Sequence, residues 1–409
     1  MRRVVITGIG AITPVGIGKD EFWKNITEGV CGIDEITQFD TTNYKVKIAA
    51  EVKNFDPEEF IDKKTAKRQD RFTQFAVASA ILAKKDSGID FEVYDPYRCG
   101  VIFGSGIGGL STLEAEHTKL TEKGAGRVSP FFIPMMISNM AAGSISMLFN
   151  LKGVSYAPVT ACASSTHAIG EAFRAIKHGY IDCVVAGGSE ATITPIAVAG
   201  FTNMQALSQA ADKNRASIPF DKERGGFVMG EGACSLILEE YENAKKRGAT
   251  IYAEIKGYGA TSDAYHMTSP DPEGNGAAKA MELAFLESGE PIENLNYINA
   301  HGTGTPLNDK FETTAIKKAF KDHANKLMIS STKSMTAHML GAAGAIEAAV
   351  CALALRDGII PPTINYKEKD EELDLDYVPN TARKAGIKGA ISNSLGFGGH
   401  NASLYIAKI

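Results

Sequence analysis

Short apolar runs that end in glycine or a small polar residue alternate along this chain with segments whose apolar positions recur every three to four residues. The apolar runs predict strands at residues 4–7, 100–103, 183–186, 297–299, 328–330 and 390–391. The periodic segments predict helices at residues 72–85, 168–178, 276–286, 311–320 and 346–356. Strands that alternate with helices are typical of an α/β fold built on βαβ units, whose active sites lie beyond the carboxyl ends of strands.

A weak internal duplication divides the chain. Thr160-Ala161-Cys162 opens a small-residue helix that closes at residues 177–179, and Thr336-Ala337-His338 opens another that closes at residues 356–358. A further predicted strand follows each helix, and no linker rich in proline and serine separates the two parts. We therefore predict two similar halves, residues 1–250 and 251–409, with a basic stretch at 245–248 near their junction.

Glycine is the residue type that departs from ordinary composition. It accounts for 41 of 409 residues, about 10%, against a typical usage of about 7%. The excess gathers in clusters at residues 8–16, 104–109, 187–188, 225–232, 302–304, 341–344 and 396–399. Because glycine is favoured where the backbone turns tightly or approaches a ligand, these clusters map a candidate functional surface.

The charge balance and the cysteines argue against several classes of protein. The 43 Lys and Arg residues against 48 Asp and Glu residues give a net charge of −5, which disfavours a nucleic-acid-binding or polybasic membrane protein. The first apolar run is interrupted too early for a signal peptide, and no run reaches the ~18–20 apolar residues of a transmembrane helix, so we expect a cytosolic protein. Six cysteines without a C-x-x-C pair favour neither structural zinc nor a disulfide framework.

Two motifs typical of dinucleotide-dependent enzymes are incomplete. Gly8-Ile9-Gly10 follows a predicted strand, but Thr13 and Pro14 stand where the fingerprint needs a third glycine. Tyr241 and Lys245 have the spacing of the short-chain dehydrogenase pair without its glycine pattern. A tight turn and an exposed helix face are the better interpretations.

Cys162 differs from the other cysteines because it directly precedes a segment in which Ile169, Phe173 and Ile176 mark one helix face. A thiol at a helix N-terminus feels the positive end of the macrodipole, which favours the nucleophilic thiolate. From its position alone, a small buried cysteine in a tight turn is at least as good an interpretation.

Two histidines strengthen the interpretation of Cys162 as a nucleophile. His301 opens the sequence His-Gly-Thr-Gly-Thr at a predicted strand end, and His338 follows Lys333 by five residues at a predicted helix start. Together with the cysteine they predict one nucleophilic site assembled from loops. As metal ligands they are poor candidates, because no carboxylate or cysteine lies at ligand spacing around them.

These motifs together resemble those of β-ketoacyl-acyl-carrier-protein synthases of the elongating type, most closely the synthase II group, within the thiolase superfamily. The likeness spans essentially the whole chain and is carried by residues 4–10, 104–109, 129–139, 160–165, 220–231, 301–306, 333–344 and 393–399. It implies a thiolase-like fold in which two similar βαβ-type halves pack as a five-layered αβαβα core. The first half would carry the nucleophilic cysteine and the second half the histidine pair.

The resemblance implies decarboxylative carbon–carbon bond formation in fatty acid biosynthesis. Cys162 would accept an acyl group from an acyl carrier protein, and malonyl-carrier-protein would lose CO2 to give an enolate that attacks the acyl-cysteine. His301 and His338 would donate hydrogen bonds to the thioester oxygen on which charge develops. The backbone N–H groups of Cys162 and Phe397 would form an oxyanion hole, with Phe397 acting as a gate. The carrier brings its own phosphopantetheine, so no cofactor and no catalytic metal is implied.

The resemblance also assigns substrate-binding and electrostatic roles. Thr303 and Thr305 match positions that bind the pantetheine arm, and Gly399 matches a substrate contact. Lys333 would tune the electrostatics around His338.

Two further positions have a structural explanation that is about as good as the functional one. Ile107 matches a position that lines the acyl tunnel at a homodimer interface, although core packing explains it equally well. Glu347 stands among apolar neighbours, so its carboxylate must be paired if it is buried. The resemblance suggests hydrogen bonding or a monovalent cation, Na⁺ or K⁺, shared with Asn299, Ser392 and Asn393; a purely structural buried acid is the alternative.

A basic stretch lies between residues 62 and 71. It contains Lys63, Lys64, Lys67, Arg68 and Arg71, and with Asp62 and Asp70 its balance is 5 − 2 = +3. A solvated face is the usual explanation of such a stretch. On a net-negative chain that resembles a carrier-dependent enzyme, it favours docking of an acidic acyl carrier protein, with Arg127 as a further contact. The acidic run at residues 368–376 is predicted only to be a solvated loop.

Two rival functions remain to be distinguished. Degradative thiolases and chain-initiating synthases pair the cysteine with His and a second Cys, or with His and Asn, whereas the partners here are His301 and His338. A catalytically silent subunit that only binds acyl carriers or sets chain length would lack the active cysteine, and Cys162 is present.

Overall fold

Fifteen strands and thirteen α-helices make up the protein in the computed structural model, which describes residues 1–409. The strands are β1 Val4–Thr13, β2 Gly16–Ile17, β3 Asp34–Glu35, β4 Ile48–Ala49, β5 Cys99–Gly104, β6 Ser155–Tyr156, β7 Cys183–Glu190, β8 Gly232–Glu240, β9 Ala253–Ser262, β10 Leu295–Asn299, β11 Met328–Ser330, β12 Ile359–Ile360, β13 Arg383–Lys384, β14 Gly389–Gly396 and β15 His400–Ala407. The α-helices are α1 Lys19–Glu28, α2 Lys63–Ala66, α3 Arg71–Ser87, α4 Leu110–Lys123, α5 Phe132–Met136, α6 Met140–Phe149, α7 Ser164–Lys177, α8 Pro195–Asn203, α9 Tyr241–Lys246, α10 Asn275–Ser288, α11 Pro306–Phe320, α12 Lys333–Thr336 and α13 Ala343–Asp357.

Eleven strands form one continuous mixed sheet. Their spatial order is β11-β10-β14-β15-β9-β1-β8-β7-β5-β6, and β2 pairs with the end of β1. The order reads as the same arrangement twice in opposite directions, because β6-β5-β7-β8-β1 matches β11-β10-β14-β15-β9. The antiparallel pairing of Val4–Ile6 in β1 with residues 253–255 of β9 joins the two halves into one sheet.

Helices cover the sheet in layers. Helices α3 and α6 pack on the outer face of the first half of the sheet, and α10 and α11 contact each other and share a core with the second half. Helices α7 and α13 contact each other and lie between the two halves. The α/β prediction and the five-layered αβαβα arrangement are confirmed. None of the thirteen α-helices combines the length and the apolar character that a membrane-spanning helix requires.

Alternate residues of the central strands face two different cores, which explains why these strands read as continuous apolar runs. Ile102 of β5 lies in the central core with α7 and α13, whereas Val101 and Phe103 lie in the outer core beneath α3 and α6. The same alternation places Val184 of β7 centrally and Val185 outside.

The first glycine pair lies inside a strand and not in a nucleotide-binding turn. A Cβ atom on Gly10 of β1 would lie 2.0 Å from the carbonyl oxygen of Ser79 in α3. A Cβ atom on Gly259 of β9 would lie 1.9 Å from the carbonyl oxygen of Ala280 in α10. Glycine is therefore required for close helix-to-strand packing at equivalent places in both halves, and this G-x-G-A repeat is clearer evidence of duplication than the helix starts.

The predicted elements are correct in type, and most of them are too short. The strands predicted to end at Gly8 and Gly187 continue through those glycines as β1 and β7, because the glycines serve packing within the strand. The predicted helices begin one to five residues later than the helices of the structure, and the largest difference is at residue 311, because α11 begins at Pro306. Proline is compatible with the first turn of a helix, because that turn needs no backbone N–H donor.

The acidic run at residues 368–376 is more than a solvated loop. Asp370 accepts a hydrogen bond of 2.7 Å from Arg224, and Glu372 lies 2.7 Å from Lys310 of α11. Asp376 pairs with Arg383, and Asp374 pairs with Lys317 of α11. Two ion pairs, from Lys310 and Lys317, therefore hold the run against α11, the helix that follows the loop of His301.

Candidate active site

Cys162 lies in a single 3₁₀ turn, residues Ala161–Ala163, that leads directly into α7. The preceding residue, Ala161, has a φ angle of 50°, a region that side-chain-bearing residues rarely adopt. Such strain is typical of functional turns, and here it directs the thiol toward the second half of the protein. The predicted position of Cys162 at a helix start is confirmed.

The two histidines converge on the thiol. Nε2 of His338 lies 3.0 Å from Sγ of Cys162, and the ring centroids of His301 and His338 are 5.2 Å apart. Donor atoms of all three side chains lie within 4.8 Å of one another, and all three are buried. No cysteine lies near either histidine along the sequence, but in three dimensions Cys162 reaches both of them from the other half of the chain.

The glycine cluster at residues 225–232 supports both histidine loops. The N–H of His338 donates to the carbonyl oxygen of Val228 at 2.8 Å, and the N–H of Gly230 donates back to His338 at 2.9 Å. In the same segment, Gly226 donates to the carbonyl oxygen of Gly304 at 3.1 Å. No specific chemical role for this cluster follows from the sequence, and in the structure it connects the two histidine loops through backbone hydrogen bonds.

Two buried acids of α11 hold the loop of His301. The carboxylate of Glu312 accepts hydrogen bonds of 2.8 Å from the backbone N–H groups of His301 and Gly302. The carboxylate of Asp309 accepts from the N–H of Gly304 at 3.2 Å. Burial raises the pKa of Glu312 to about 7, against these hydrogen bonds. Sequence reasoning missed both acids, since each stands in a helix of ordinary polarity.

Lys333 is fully buried and contacts His301 on the side away from the cavity. Its ammonium group pairs with the carboxylate of Glu347 and lies 3.4 Å from Nδ1 of His301. Lys333 was expected beside His338, but its direct contact is with His301. Burial and the positive charge of Lys333 lower the pKa of both His301 and His338, so both imidazoles are neutral at physiological pH. Burial raises the pKa of Glu347 to about 7 although Lys333 opposes this.

The resting thiol of Cys162 is protonated. Burial raises its pKa to about 12, and the charge of Lys333 and backbone hydrogen bonds from Phe397 and Cys162 itself only partly oppose this. The helix start favours a thiolate, but removal of the thiol from water has the larger effect on its pKa. The backbone groups of Phe397 and Cys162 that act on the sulfur are nevertheless the two expected to form the oxyanion hole.

A cavity of about 420 Å³ opens onto the three side chains. Its lining brings together Cys162, His301, His338, Thr303, Thr305, Ile107, Phe397 and Gly399. The hydroxyl groups of Thr303 and Thr305 lie 3.0 Å apart on its wall. The predicted nucleophile, histidines, gate and substrate residues thus share one space, with Ile107 on its surface and 37% exposed, whereas Lys333 does not line it.

Glu190 is a fully buried acid that connects two walls of this cavity. Its carboxylate accepts hydrogen bonds from the N–H of Gly106 at 2.8 Å and from the N–H of Gly341 at 2.9 Å. It also accepts from Ile107 at 3.2 Å and from the hydroxyl of Ser105 at 3.1 Å. Burial raises the pKa of Glu190 to about 6. Sequence reasoning missed this residue, although it ends the apolar run of β7 and the argument used for Glu347 applies to it.

The residues suggested to share a cation with Glu347 leave three buried oxygen atoms without a hydrogen-bond partner. These are Oε2 of Glu347, Oδ1 of Asn299 and the hydroxyl of Ser392. Asn393 differs, because its side-chain oxygen accepts a hydrogen bond of 2.8 Å from Ser403.

The basic stretch is split into two helices and only part of it faces solvent. The exposed members are Lys63, Lys64, Lys67 and Arg68 around α2, and Arg127 is exposed near the end of α4. Arg71 begins α3 and turns inward to the buried carboxylate of Glu231 at 2.7 Å, so it does not belong to the exposed set. The guanidinium of Arg68 lies 4.6 Å from the ring centroid of Phe131.

Comparisons with known proteins cover the whole chain. The family model described as "Beta-ketoacyl synthase, N-terminal domain" matches residues 1–244, and the one described as "Beta-ketoacyl synthase, C-terminal domain" matches residues 252–367. A protein of Staphylococcus aureus (strain COL) named 3-oxoacyl-[acyl-carrier-protein] synthase 2 is 51% identical over 407 residues, which cover 100% of this chain and 98% of that protein.

Solved structures share the same fold. A β-ketoacyl synthase from Burkholderia phymatum STM815 superposes with a TM-score of 0.93 at 34% identity, covering 100% of both chains. A type II PKS ketosynthase, solved in complex with its acyl-carrier protein and bound to the hexaketide, superposes with a TM-score of 0.92 at 33% identity and covers 100% of this chain and 99% of that chain.

Proposed function

The chain belongs to the β-ketoacyl synthase family, and from this premise we propose that it is a 3-oxoacyl-[acyl-carrier-protein] synthase of the second type. It elongates an acyl chain by decarboxylative condensation with malonyl-[acyl-carrier-protein], and so acts as an acyltransferase of fatty acid biosynthesis. The observation that carries this assignment is the convergence of Cys162, His301 and His338 at the cavity.

In the first half-reaction the acyl group moves from the carrier thioester to Cys162. Sγ attacks the thioester carbon, the bond to the pantetheine sulfur breaks, and the thiol proton leaves with that sulfur. The imidazole N–H of His338, 3.0 Å from Sγ, stabilises negative charge on the attacking sulfur. Backbone N–H groups of Cys162 and Phe397 donate hydrogen bonds to the thioester oxygen as negative charge develops on it.

In the second half-reaction the malonyl carboxylate leaves as CO2, and its bonding electrons form an enolate. The enolate carbon attacks the acyl carbon, the bond between that carbon and Sγ of Cys162 breaks, and the released sulfur takes a proton from solvent to become the thiol again. Lys333 donates to Nδ1 of His301, which places the proton of this neutral imidazole on Nε2, where it is available to the enolate oxygen. His301 and His338 together supply two hydrogen bonds to that oxygen, with Glu347 balancing the charge of Lys333.

The set of partner residues favours condensation over thiolase chemistry. Both groups beside Cys162 are imidazoles, whereas a thiolase or an initiating synthase would place a second cysteine or an asparagine at one of these positions. A silent subunit is disfavoured because a thiol lies at the base of the cavity.

Residues around Glu347 fit a monovalent cation. Three buried oxygen atoms without partners, from Glu347, Asn299 and Ser392, are the hard ligands that Na⁺ and K⁺ accept. Such an ion would fix the carboxylate that faces Lys333 and would take no part in bond making. Replacement of K⁺ and Na⁺ by N-methylglucamine should lower Tm in the wild type and leave Tm of a Glu347→Gln variant unchanged; equal Tm values for the wild type in both buffers would contradict the ion.

The exposed basic residues near α2 support docking of an acyl carrier protein. Lys63, Lys64, Lys67 and Arg68 face solvent on a chain of net charge −5, so they form a local positive surface for an acidic partner. The related ketosynthase solved with its acyl-carrier protein shows that a protein of this fold binds such a partner.

An exposed apolar surface at the edge of the sheet supports a homodimer. Strand β6 lies at the end of the sheet, and its residue Tyr156 and the neighbouring Val154 are each 42% exposed. Met147 and Leu148 of α6 are 72% and 44% exposed. An unpaired edge beside exposed apolar side chains is typical of a contact between subunits.

The cytosolic location stays a prediction.

Release of CO2 tests the reaction class. With acyl-carrier-protein and malonyl-carrier-protein the wild type should release one CO2 per 3-oxoacyl product, and a thiolase would release none and would accept acetyl-CoA instead. In a His301→Ala variant we expect the acyl-Cys162 to form and CO2 release to fall by roughly 10²–10³-fold, because one enolate hydrogen bond is lost. A variant that releases CO2 at the wild-type rate would contradict the role of His301.

A further inference from the structure

Two imidazoles and a thiol converge on one point from different loops. Nε2 of His338 lies 3.0 Å from Sγ of Cys162, and one ligand atom from each of Cys162, His301 and His338 lies within 4.8 Å of the other two. These are the sulfur and nitrogen ligands that Zn²⁺ prefers in proteins. The reaction of the enzyme uses the three side chains as nucleophile and hydrogen-bond donors, and a metal ion would use the same atoms as ligands.

The spacing is close to that of a tetrahedral site. With Zn–S near 2.3 Å and Zn–N near 2.0 Å, tetrahedral geometry places ligand atoms roughly 3.3–3.6 Å apart. Donor atoms already within 4.8 Å reach this geometry by small side-chain shifts. The loops that carry them are held by buried hydrogen bonds, such as those of Glu312 to His301 and Gly302, so little ordering is needed on binding.

The surroundings leave room for a fourth ligand and balance the local charge. The cavity of about 420 Å³ in front of the three side chains accommodates a water molecule or a small thiol as the fourth ligand. Three protein ligands with one open position is the arrangement of accessible zinc sites. The positive charge of Lys333 behind His301 would repel a cation, but its ion pair with Glu347 offsets that charge.

We propose that Cys162, His301 and His338 bind one Zn²⁺ ion, or another thiophilic divalent cation, and that the bound ion reversibly blocks acylation. On binding, the S–H bond of Cys162 breaks, its proton passes to solvent, and the sulfur lone pair forms the bond to the metal with no change of oxidation state. The ion and the acyl thioester compete for one sulfur. This inference rests on the geometry of the three side chains and does not depend on which acyl substrate the enzyme uses.

Cobalt spectroscopy tests the ligand set without an activity readout. Titration of the full-length protein with Co²⁺ in metal-free buffer should produce a thiolate-to-cobalt charge-transfer band in the near ultraviolet and intense visible bands of tetrahedral Co²⁺, saturating at one ion per chain. Cys162→Ser should abolish the charge-transfer band, and His301→Ala should weaken binding by at least roughly tenfold. Cys31→Ser is the matched control, because Cys31 is a half-buried free thiol outside the cavity and its loss should leave the spectrum unchanged.

Thiol protection gives a second measurement that does not depend on a folded variant. Incubation of the wild type with Zn²⁺ should slow iodoacetamide labelling of Cys162, as determined by peptide mass spectrometry, and EDTA should restore it. Absence of a thiolate band in the wild type, the same band in Cys162→Ser, or unchanged labelling of Cys162 with Zn²⁺ would overturn the proposal. A protein that shows the cobalt band and yet forms no 3-oxoacyl product would refute the proposed function and leave the metal site standing.

Discussion

The ammonium group of Lys333 and the carboxylate of Glu347 form an ion pair from which solvent is excluded, with 1% and 3% of the side chains exposed. Removal of one member leaves the other buried without a partner, which costs roughly 3–5 kcal/mol. We therefore expect Lys333→Met to lower the free energy of unfolding in urea by about that amount. Lys333→Met/Glu347→Leu should recover most of the loss, because no charge is then buried.

The exposed pair of Lys310 and Glu372 is the control for this experiment. These side chains are 45% and 63% exposed, so Lys310→Met should change the free energy of unfolding by less than about 1 kcal/mol. Equal effects at Lys333 and Lys310 would contradict the importance of burial.

Glu190 makes stability depend on pH. Its pKa is about 6 in the folded protein against 4.5 ordinarily, so the folded state binds more protons between these values and the free energy of unfolding falls as pH rises from about 4.5 to about 6. The fall amounts to roughly 2 kcal/mol, at 1.36 kcal/mol for each pKa unit. Glu190→Gln removes this titration.

Urea unfolding of both proteins at pH 4.5 and pH 7 measures the effect. The stability of the wild type relative to Glu190→Gln should be about 2 kcal/mol lower at pH 7 than at pH 4.5. The Glu190→Gln variant should also discriminate less between shorter and longer acyl chains. The reason is that the carboxylate of Glu190 holds the backbone of Gly106 and Ile107, on one cavity wall, to that of Gly341. A stability difference that is the same at both pH values would show that Glu190 does not titrate in this range.

The strand glycines predict a steric effect. In Gly10→Ala the new Cβ would lie 2.0 Å from the carbonyl oxygen of Ser79, and backbone must move to relieve the clash. We expect a loss of at least roughly 2–3 kcal/mol in the free energy of unfolding, or loss of folded protein. Gly200→Ala in α8 is the control, because nothing lies within 4 Å of its Cβ position and alanine favours a helix by about 0.5–1 kcal/mol. Thermal unfolding that ranks the two variants in the opposite order would contradict this explanation.

Carrier docking predicts an effect on KM. Lys64→Glu/Lys67→Glu should raise KM for malonyl-carrier-protein at least roughly tenfold and leave turnover at saturation within a factor of about two, and the difference should shrink as salt rises. Lys384→Glu reverses one exposed charge on β13, outside the basic stretch, and should behave as the wild type. A salt-independent loss of kcat in the double variant would point to damage of the site instead of docking.

The order of elements and the three reacting side chains could be predicted from the sequence because both depend on local signals. Periodicity identifies strands and helices, and the positions of Cys162, His301 and His338 at element ends bring them to one side of the fold. Contacts between distant segments carry no such signal. In the sequence Gly8 and Gly10 look like turn residues, and only the packing of α3 against them shows why glycine is needed inside a strand. Arg71 looks like a surface cation, and only the fold shows that it pairs with the buried Glu231.

Burial changes what the sequence position of Cys162 indicates about the pKa of its thiol. The helix start favours a thiolate at Cys162, but removal of the sulfur from water is the larger effect and keeps the thiol protonated. Only the folded environment shows how much water remains, so the pKa of a nucleophile could not be predicted from its place in the sequence.

The identity of the nucleophile is tested most directly by the mass of the protein after incubation with acyl-carrier-protein in the absence of malonyl-carrier-protein. We expect the wild type to gain the mass of one acyl group per chain, less the hydrogen it replaces, and peptide mapping to place it on Cys162. Cys31→Ser should gain the same mass, and Cys162→Ala should gain none. An acyl group on any other residue, or none on the wild type while 3-oxoacyl product still forms, would contradict the central claim that Cys162 carries the chain.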